Sequence, residues 1–563
     1  MKTDNRYGSI SLYGAILRVV LFAAAVVFAF WRCRYGFACK DECYAIAIPY
    51  RFCMGDIPIV DEWALQQFAG LLIFPVLKVW LWISGGTEGV VLAFRHFFVF
   101  AAIAAGIFQY FRWRRFGEIG AFAGLLFFVT YAPFGITTLA YNTMDVLCAS
   151  VAITLYATFD RRAVVPMFFS GVFFCAVVMC CPQLVLGYVV YTIWALYRHR
   201  SREWVCITLG IAALATPYLA LTMYDTSIRD IIASIPLMLQ DPEHPVRPLW
   251  LMLCEFAKNS LTQQRLFSAV AYVLFAVVAL VSMNRAKRKG GVPNIEVRRS
   301  FLLLGLLVMV VLAIFASRAP TADYLAYPVC VIALWMSLLS VCKHEVSDVA
   351  IMALVPAFAL GFFTCLGCNT GSVRVSIVMV CALIPALSII SSEAYDERRC
   401  RCALCWRIMC VASLVLLLSA NFYFRVTNVF CDAAIPELTT RITYGPQKGI
   451  YCSEGAGNGY DAMNRMVAEL APPNSGKSVL FTHQNTDPYL SSMNRYGTYT
   501  AWATGSGHAA FDRLKKYWDL HRDRMPDVVV FNREDDDMKS DFESMGYQTV
   551  LSDWHYPCLV RRQ

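Results

Sequence analysis

The apolar run GAILRVVLFAAAVVFAFW (residues 14–31) is followed a few residues later by the polar stretch KDECY (residues 40–44). The run is long enough to cross a bilayer as a helix, which takes about 20 mainly apolar residues. No small-residue cleavage site ends it, and further apolar runs follow, so it predicts a retained first transmembrane helix. A second acidic pair, Asp61-Glu62, lies farther along the same loop. The fold is therefore predicted to begin with one span and an acidic loop.

The composition of the chain is that of a membrane protein. Of 563 residues, 58% are hydrophobic and 16% are charged, and the mean hydropathy is +0.52. A soluble chain carries about 25% charged residues. The net charge of +9 does not indicate nucleic-acid binding, because the basic residues are gathered in short loops between apolar runs. We therefore expect membrane lipids as partners and no nucleic acid.

The apolar runs within residues 1–424 predict about 13 transmembrane helices. The run from residue 66 to 83 contains Pro75 and Lys78, so it predicts an interfacial helix rather than a span. The first loop then covers residues 32–87. The predicted spans are residues 14–31, 88–110, 117–136, 138–159, 163–181, 183–197, 204–223, 263–283, 300–317, 324–342, 349–367, 373–391 and 406–424.

Basic residues in short loops predict the orientation, because such loops stay on the cytoplasmic side. Alternate loops carry the clusters, and they all fall on one side if the N-terminus is cytoplasmic. The acidic loop and the C-terminal tail then lie outside, and we expect a multi-pass protein of the plasma membrane. The basic loops are Arg112–Arg115, Arg161-Arg162, Arg198–Arg200, Arg285–Lys289 and Arg398–Arg401.

The C-terminal part, residues 425–563, is more polar and richer in glycine than the rest of the chain. Residues 479–482 and 527–531 are continuous apolar runs that predict buried parallel strands. Residues 510–522 and 461–470 predict helices. The sequence therefore predicts a small extracytoplasmic α/β domain that follows the transmembrane domain.

The acidic loop is the candidate reaction centre. Asp41-Glu42 is followed at helical spacing by Tyr44, Ile48 and Arg51, which predicts a helix with acidic residues in its first turn. The alternative is a solvated loop whose charges face water. We favour a catalytic role because this face of the membrane has few other ionisable groups.

The order of these features resembles that of the GT-C glycosyltransferases, which are integral-membrane enzymes that use polyprenyl-phosphate sugars. The shared pattern is a first span, a loop that opens with Asp41-Glu42 and an aromatic residue, an interfacial helix, many spans and a terminal outer domain. Protein mannosyltransferases and aminoarabinose transferases are similar in architecture. The resemblance implies that Asp41 is the catalytic base, with Glu42 beside it.

Further residues are candidates for substrate binding. A guanidinium group can bind two phosphate oxygens at once, so the arginines of this face could hold a lipid phosphate. The alternative is that they extend to lipid headgroups, as basic residues at span ends commonly do. The resemblance implies an acidic residue at the start of the fourth span, where this chain offers Asn142 and Asp145, and a substrate-facing loop around His244. Asn142 could equally cap a helix. Asp61 and Glu62 could hold sugar hydroxyls. The set is Asp61, Glu62, Arg51, Asn142, His244, Arg247 and Arg318.

The function that these features imply is transfer of a sugar from a polyprenyl-phosphate donor to a glycan, lipid or protein acceptor outside the cytoplasm. Attack from the face opposite the phosphate would invert the anomeric carbon. The sequence indicates no particular cofactor, and it does not decide whether a divalent cation is bound. A transporter or flippase of lipid-linked glycans is the first alternative, and it predicts ionisable residues deep in several spans. A non-enzymatic cell-envelope assembly protein is the second, and it leaves the acidic loop unexplained.

Overall fold

The computed structural model describes most of the chain as one helical bundle with a C-terminal domain. The described residues are 12–38, 40–240, 248–262, 295–316, 325–338, 344–366, 377–395, 403–482, 486–502, 507–531, 536–550 and 557–561.

The bundle is built from α-helices joined by short loops, which we number in chain order. They are α1 Leu12–Arg32, α2 Asp41–Cys53, α3 Gln67–Ser84, α4 Val90–Trp113, α5 Glu118–Thr130, α6 Tyr141–Thr158, α7 Val164–Cys180, α8 Val185–Tyr197, α9 Ser201–Tyr224, α10 Ile228–Met238, α11 Leu249–Thr262, α12 Ile295–Ala316, α13 Ala326–Leu338, α14 His344–Leu366, α15 Leu383–Ala394 and α16 Ala403–Thr427.

Eight helical segments in the described residues are long and apolar enough to cross a membrane, and shorter apolar helices accompany them. The chain is therefore a polytopic α-helical membrane protein, as predicted, although the number of 13 spans is not confirmed. The predicted span 263–283 lies outside the described residues. Helix α3 continues through Pro75 and is long and apolar enough to span, and its predicted interfacial placement stays a prediction. Neighbouring helices make proline tolerable inside membrane helices.

Close helix crossings in the bundle depend on glycine. A Cβ atom added to Gly171 of α7 would lie 2.1 Å from the carbonyl oxygen of Ile207 in α9. One added to Gly210 of α9 would lie 2.0 Å from the carbonyl oxygen of Phe168 in α7. Small residues allow backbones to approach in this way where lipid supplies no hydrophobic force between helices.

The predicted helix at the acidic loop exists and begins at Asp41. It does not present an amphipathic surface, because every residue from Glu42 to Phe52 is buried. Gly70 of α3 packs against it so closely that an added Cβ would lie 2.5 Å from a methyl carbon of Ile48. We call the end of the bundle at which α2 lies the α2 face.

The C-terminal domain covers α2. Its main sheet has the strand order β4-β3-β5-β7-β6, in which β3 pairs in parallel with β4 and β5, and β7 is antiparallel to both β5 and β6. The predicted parallel pair of strands is thus confirmed. The strands are β1 Thr440–Arg441, β2 Tyr451–Cys452, β3 Ser478–Phe481, β4 Arg495–Tyr496, β5 Val528–Val530, β6 Tyr547–Val550 and β7 Cys558–Arg561.

The helices of this domain are α17 Glu454–Leu470, α18 Asp487–Ser492, α19 Gly507–Leu520 and α20 Asp536–Ser544. Helix α19 buries the predicted apolar face of Phe511, Leu514, Tyr517 and Trp518. The apolar core of the bundle continues through α2 into the domain, where it includes Val479 and Tyr489. The domain therefore shares its core with the bundle.

Candidate active site

Asp41 is the first residue of α2 and is half-buried. The helix N-terminus behind it carries a partial positive charge, which favours an anionic carboxylate there. The preceding residue, Lys40, has φ 52° and ψ −117°, a backbone conformation that glycine adopts more readily than lysine. Such local strain persists only where the surroundings impose it. The chain is therefore held in a defined geometry directly before Asp41.

Glu42 is buried and paired with Arg95 of α4. Its Oε1 also accepts hydrogen bonds from the backbone N–H of Thr137, at 3.0 Å, and from the hydroxyl of Thr137, at 3.2 Å. Arg95 donates in addition to the carbonyl oxygens of Cys33 and Gly36, both at 2.9 Å. Glu42 thus joins three segments of the α2 face, and its carboxylate is occupied by structural contacts.

Three buried arginines lie close together beneath α2. Arg32 is the last residue of α1, Arg95 lies in the second turn of α4, and Arg425 is near the end of α16; each is less than 7% exposed. Arg32 Nε donates to the carbonyl oxygen of Arg425 at 2.7 Å, and the charges of Arg95 and Arg425 both act on Arg32. The carboxylate of Glu42 also acts on Arg32. Sequence analysis missed this cluster because its three arginines are far apart in the chain.

Arg51, a predicted phosphate ligand, is fully buried in a different network. Its Nε donates to Asp56 at 2.7 Å, its Nη1 to Glu62 at 2.8 Å, and its Nη2 to the carbonyl oxygen of Thr498 at 3.0 Å. From the C-terminal domain, Arg524 Nη1 approaches Asp56 at 2.7 Å. These contacts join the acidic loop to the C-terminal domain, and the carboxylates of Asp56 and Glu62 offset the charge of Arg51.

Asp61 and Glu62 belong to the same network. Asp61 accepts from the backbone N–H of Ile57 at 2.6 Å, and its Oδ1 lies 3.5 Å from Nδ1 of His521. Glu62 accepts from the backbone N–H of Ala501 at 2.9 Å. Burial raises the pKa of both carboxyls; a nearby carboxylate adds to this for Asp61, and arginines oppose it. We call this set, with Arg51, Asp56 and Arg524, the acidic joint.

Aromatic stacking extends the acidic joint. The rings of Trp63 and Tyr499 are stacked with centroids 5.1 Å apart, and the backbone N–H of Trp63 donates to the carbonyl oxygen of Tyr499 at 2.8 Å. The guanidinium carbon of Arg513 lies 4.5 Å from the ring centroid of Tyr499. A cation above an aromatic face is attracted to it. The predicted substrate ligands Asp61 and Glu62 thus lie within a packed contact between two parts of the chain.

A further buried carboxyl, Asp487 of α18, reaches the start of α2. Its Oδ1 accepts from Gln447 Nε2 at 3.1 Å and from the thiol of Cys43 at 3.7 Å, and its Oδ2 accepts from Ser491 at 3.2 Å. Burial raises the pKa of Asp487 to about 6, and these donors oppose the rise. Gln447 also exchanges two hydrogen bonds of 2.9 Å with the backbone of Ala38. The C-terminal domain therefore positions the backbone that leads into Asp41.

Asn142 lies near the start of α6 and is buried. It is not the helix cap, because the cap residue is Ala140, whose N–H donates to the hydroxyl of Thr143 at 2.8 Å. The capping interpretation of Asn142 is therefore wrong. One turn farther on, the buried Asp145 has its Oδ2 3.8 Å from the thiol of Cys181.

The other predicted ligands, His244, Arg247 and Arg318, lie outside the described residues. Among the residues that are described, no group of three His, Cys, Asp or Glu side chains is placed to hold a metal ion.

The whole chain is similar to crystal structures of ArnT from Cupriavidus metallidurans. The apo state matches with a TM-score of 0.53 and 13% identity over 97% of this chain and 98% of that chain. The structure bound to undecaprenyl phosphate matches with a TM-score of 0.52 and 12% identity over 98% of both chains. No protein-family model matches the sequence, and no curated protein does. The likeness shows the GT-C-like fold that the sequence predicted.

Proposed function

We propose that this protein is a membrane glycosyltransferase that takes its sugar from a polyprenyl-phosphate donor. The observation that carries the proposal is the likeness to ArnT over nearly the full length of both chains, one ArnT structure being bound to undecaprenyl phosphate. The acidic N-terminus of α2 supports the proposal, because Asp41 lies at the end of the spans, where a lipid phosphate would meet an acceptor.

In the proposed reaction, Asp41 takes the proton of the acceptor hydroxyl. The acceptor oxygen forms a bond to the anomeric carbon while the bond to the phosphate oxygen breaks, and the lipid phosphate leaves with that electron pair. Attack from the opposite face inverts the anomeric carbon. A positioned general base contributes about 10²- to 10⁴-fold to such a step.

The leaving phosphate gains negative charge, so a cationic site is expected near it. We assign this role to the cluster of Arg32, Arg95 and Arg425, which brings three guanidinium groups close to the start of α2. In this proposal the cluster replaces Arg51, which is enclosed in the acidic joint. Asp61 and Glu62 act there as structural groups, and Glu42 holds Arg95 in place.

The proposed orientation has a cytoplasmic N-terminus and an extracytoplasmic C-terminal domain, as the basic loops predict. A cysteine in place of the exposed Lys515, on α19, is expected to react with a membrane-impermeant maleimide in intact cells. A cysteine in place of the exposed Ser201, at the start of α9, is the matched control and should react only after the membrane is broken. The reverse pattern would overturn the orientation.

The test of the function uses the purified protein in liposomes with a panel of radiolabelled polyprenyl-phosphate sugars and an acceptor extract. We expect release of polyprenyl phosphate that depends on both the protein and the acceptor. Movement of intact donor from one leaflet to the other without release would contradict the proposal and favour the transporter alternative. Heat-denatured protein is the control.

A further inference from the structure

A cavity of about 430 Å³ lies among helices α6, α7, α8 and α14. Its walls are mainly apolar, and three tyrosines and a tryptophan contribute to them. Val190 of α8 and Val355 of α14 line it and are 56% and 48% exposed, so it opens at the outer surface of the bundle. In a membrane, lipid covers that surface, so the acyl chain of a lipid lies next to the opening.

The cavity lies at the end of the bundle opposite the α2 face. Helix α6 starts next to Thr137, which binds Glu42, and it ends at Thr158. At 1.5 Å per residue this helix is about 26 Å long. Tyr156, in its last turn, and Arg161, just after it, both line the cavity. The cavity is therefore separate from the candidate active site.

Two arginines lie at this end of the cavity. Arg161 lines it, and its guanidinium contacts the thioether of Met352, which is a weak acceptor. The guanidinium carbon of Arg200 lies 4.5 Å from the ring of Trp194, another lining residue. Its Nη1 is buried and makes no hydrogen bond within the described residues, although the carboxylate of Glu203 lies 3.6 Å away. An acceptor within hydrogen-bond distance would therefore stabilise this donor.

The arginines of the two loops at this end outnumber the carboxylates of the same loops. Glu203 is buried, accepts from the hydroxyl of Tyr191 at 3.0 Å and lies 3.6 Å from Arg200 Nη1. Asp160 accepts from the backbone N–H of Arg162 at 2.8 Å. The two loops together carry five arginines, Arg161, Arg162, Arg198, Arg200 and Arg202, against these two acidic residues.

We propose that the cavity binds one anionic phospholipid of the surrounding bilayer. One acyl chain fills the apolar cavity through the opening beside Val190, and the phosphate accepts from Arg161 and from Nη1 of Arg200. Basic pockets between transmembrane helices are suited to acidic lipid headgroups. The lipid is bound there without any covalent step, so the site does not depend on the proposed transfer reaction.

The experiment compares lipids retained by the full-length protein after reconstitution with equal amounts of phosphatidylglycerol and phosphatidylethanolamine and a trace of polyprenyl phosphate. The protein is extracted in mild detergent and its lipid complexes are weighed by intact mass spectrometry. We expect one retained phosphatidylglycerol per wild-type chain. The double variant Arg161→Ala/Arg200→Ala is expected to retain about tenfold less, because charged hydrogen bonds are lost.

A matched control keeps the number of arginines equal. Arg162→Ala/Arg202→Ala removes two exposed arginines of the same loops and should retain phosphatidylglycerol as the wild type does. Val355→Trp leaves all arginines in place but narrows the opening, so this variant should also lose the lipid. If the double arginine variant does not fold, lipid retention by Val355→Trp is the test of the proposal. Equal retention in all variants, equal loss in the control, or preferential retention of either other lipid would overturn the proposal.

Discussion

The dipeptide Asp-Glu occurs twice in the loop after α1, and its two copies lie in different environments. Asp41 begins a helix and is half-buried, and Glu42 is held by Arg95, which comes from a membrane helix. Asp61 and Glu62 lie in the acidic joint, where arginines from α2 and from the C-terminal domain enclose them. The first copy faces the spans and the second faces the C-terminal domain.

The difference shows that burial, rather than the residue type, separates a candidate reactive carboxylate from the enclosed ones. Of the four carboxylates, Glu42, Asp61 and Glu62 are each less than 4% exposed. Asp41 is the more exposed member and stands at a helix N-terminus, where an anion is stabilised. A group that must meet an acceptor hydroxyl needs such access.

The largest expected effect is that of Asp41→Asn. The change keeps the size and the hydrogen-bonding capacity of the side chain but removes its basicity, so turnover should fall by about 10²- to 10⁴-fold. The measurement is transfer from a radiolabelled polyprenyl-phosphate sugar in liposomes, with donor binding measured in parallel. Binding should be retained.

Asp61→Asn is the matched control for this prediction, because it makes the same chemical change in the second copy. It should lower turnover by less than Asp41→Asn does. Near-normal turnover of Asp41→Asn together with an inactive Asp61→Asn would move the base to the acidic joint. Normal turnover of both would exclude this loop as the catalytic centre.

The sequence predicted the elements that depend on local pattern. The continuous apolar runs around Val479 and Val528 do form parallel strands, because such runs are typical of strands buried on both faces. The helix start at Asp41 followed from the position of its acidic residues. Helix α3 continues through Pro75, so the proline does not end it, and its interfacial placement stays a prediction.

The sequence could not predict contacts between distant segments. Arg51 and Arg524 are both bound to Asp56, yet they are separated by almost the whole chain. Likewise, no local pattern relates Asp487 to the thiol of Cys43. A carboxylate in a loop gives the same sequence pattern whether it lies near a substrate or near a buried arginine, so the sequence could not show that Asp61 is buried beside Arg524.

The next effect in size is that of Arg51→Met, which should destabilise the acidic joint. Removal of one partner of a buried ion pair typically costs about 3–5 kcal/mol, because the other charge stays buried. Here Asp56 and Glu62 both lose a partner. The measurement is the free energy of unfolding in detergent, compared with Arg522→Met, which removes an exposed arginine of the same domain.

A double variant sharpens this test. Arg51→Met/Glu62→Gln removes the charge that the single variant leaves unpaired, so it should recover part of the lost stability. Equal stability of Arg51→Met and Arg522→Met would show that the acidic joint contributes little to the fold.

Asp487 predicts a dependence of stability on pH. Its pKa is raised from 3.8 to about 6 in the folded state, so the folded chain binds this proton more tightly than the unfolded chain. This contribution is fully present below pH 3.8 and is lost as the pH rises through about 6. Asp487→Asn mimics the protonated form and should therefore stabilise the protein at pH 7, by up to about 3 kcal/mol.

The measurement for Asp487 is the free energy of unfolding of wild type and Asp487→Asn between pH 4 and pH 7. The two should converge at the acidic end of this range, and the variant should be the more stable at the neutral end. Asp519→Asn, which changes an exposed carboxylate on α19, is the control and should show no such divergence. A gap that grows as the pH falls would contradict the assigned direction of the pKa shift.

The smallest expected effect is that of His521→Gln, at the edge of the acidic joint. His521 Nδ1 lies 3.5 Å from Asp61, and its side chain is 19% exposed, so solvent weakens the contact compared with the enclosed pair of Arg51 and Glu62. Exposed ion pairs contribute about 0–1 kcal/mol, and we expect a loss of unfolding free energy within that range. Asp61 keeps its hydrogen bond from Ile57, which limits the loss further. A loss as large as that of Arg51→Met would contradict this expectation. It would mean that the partly exposed His521 stabilises the acidic joint as strongly as the buried Arg51 does.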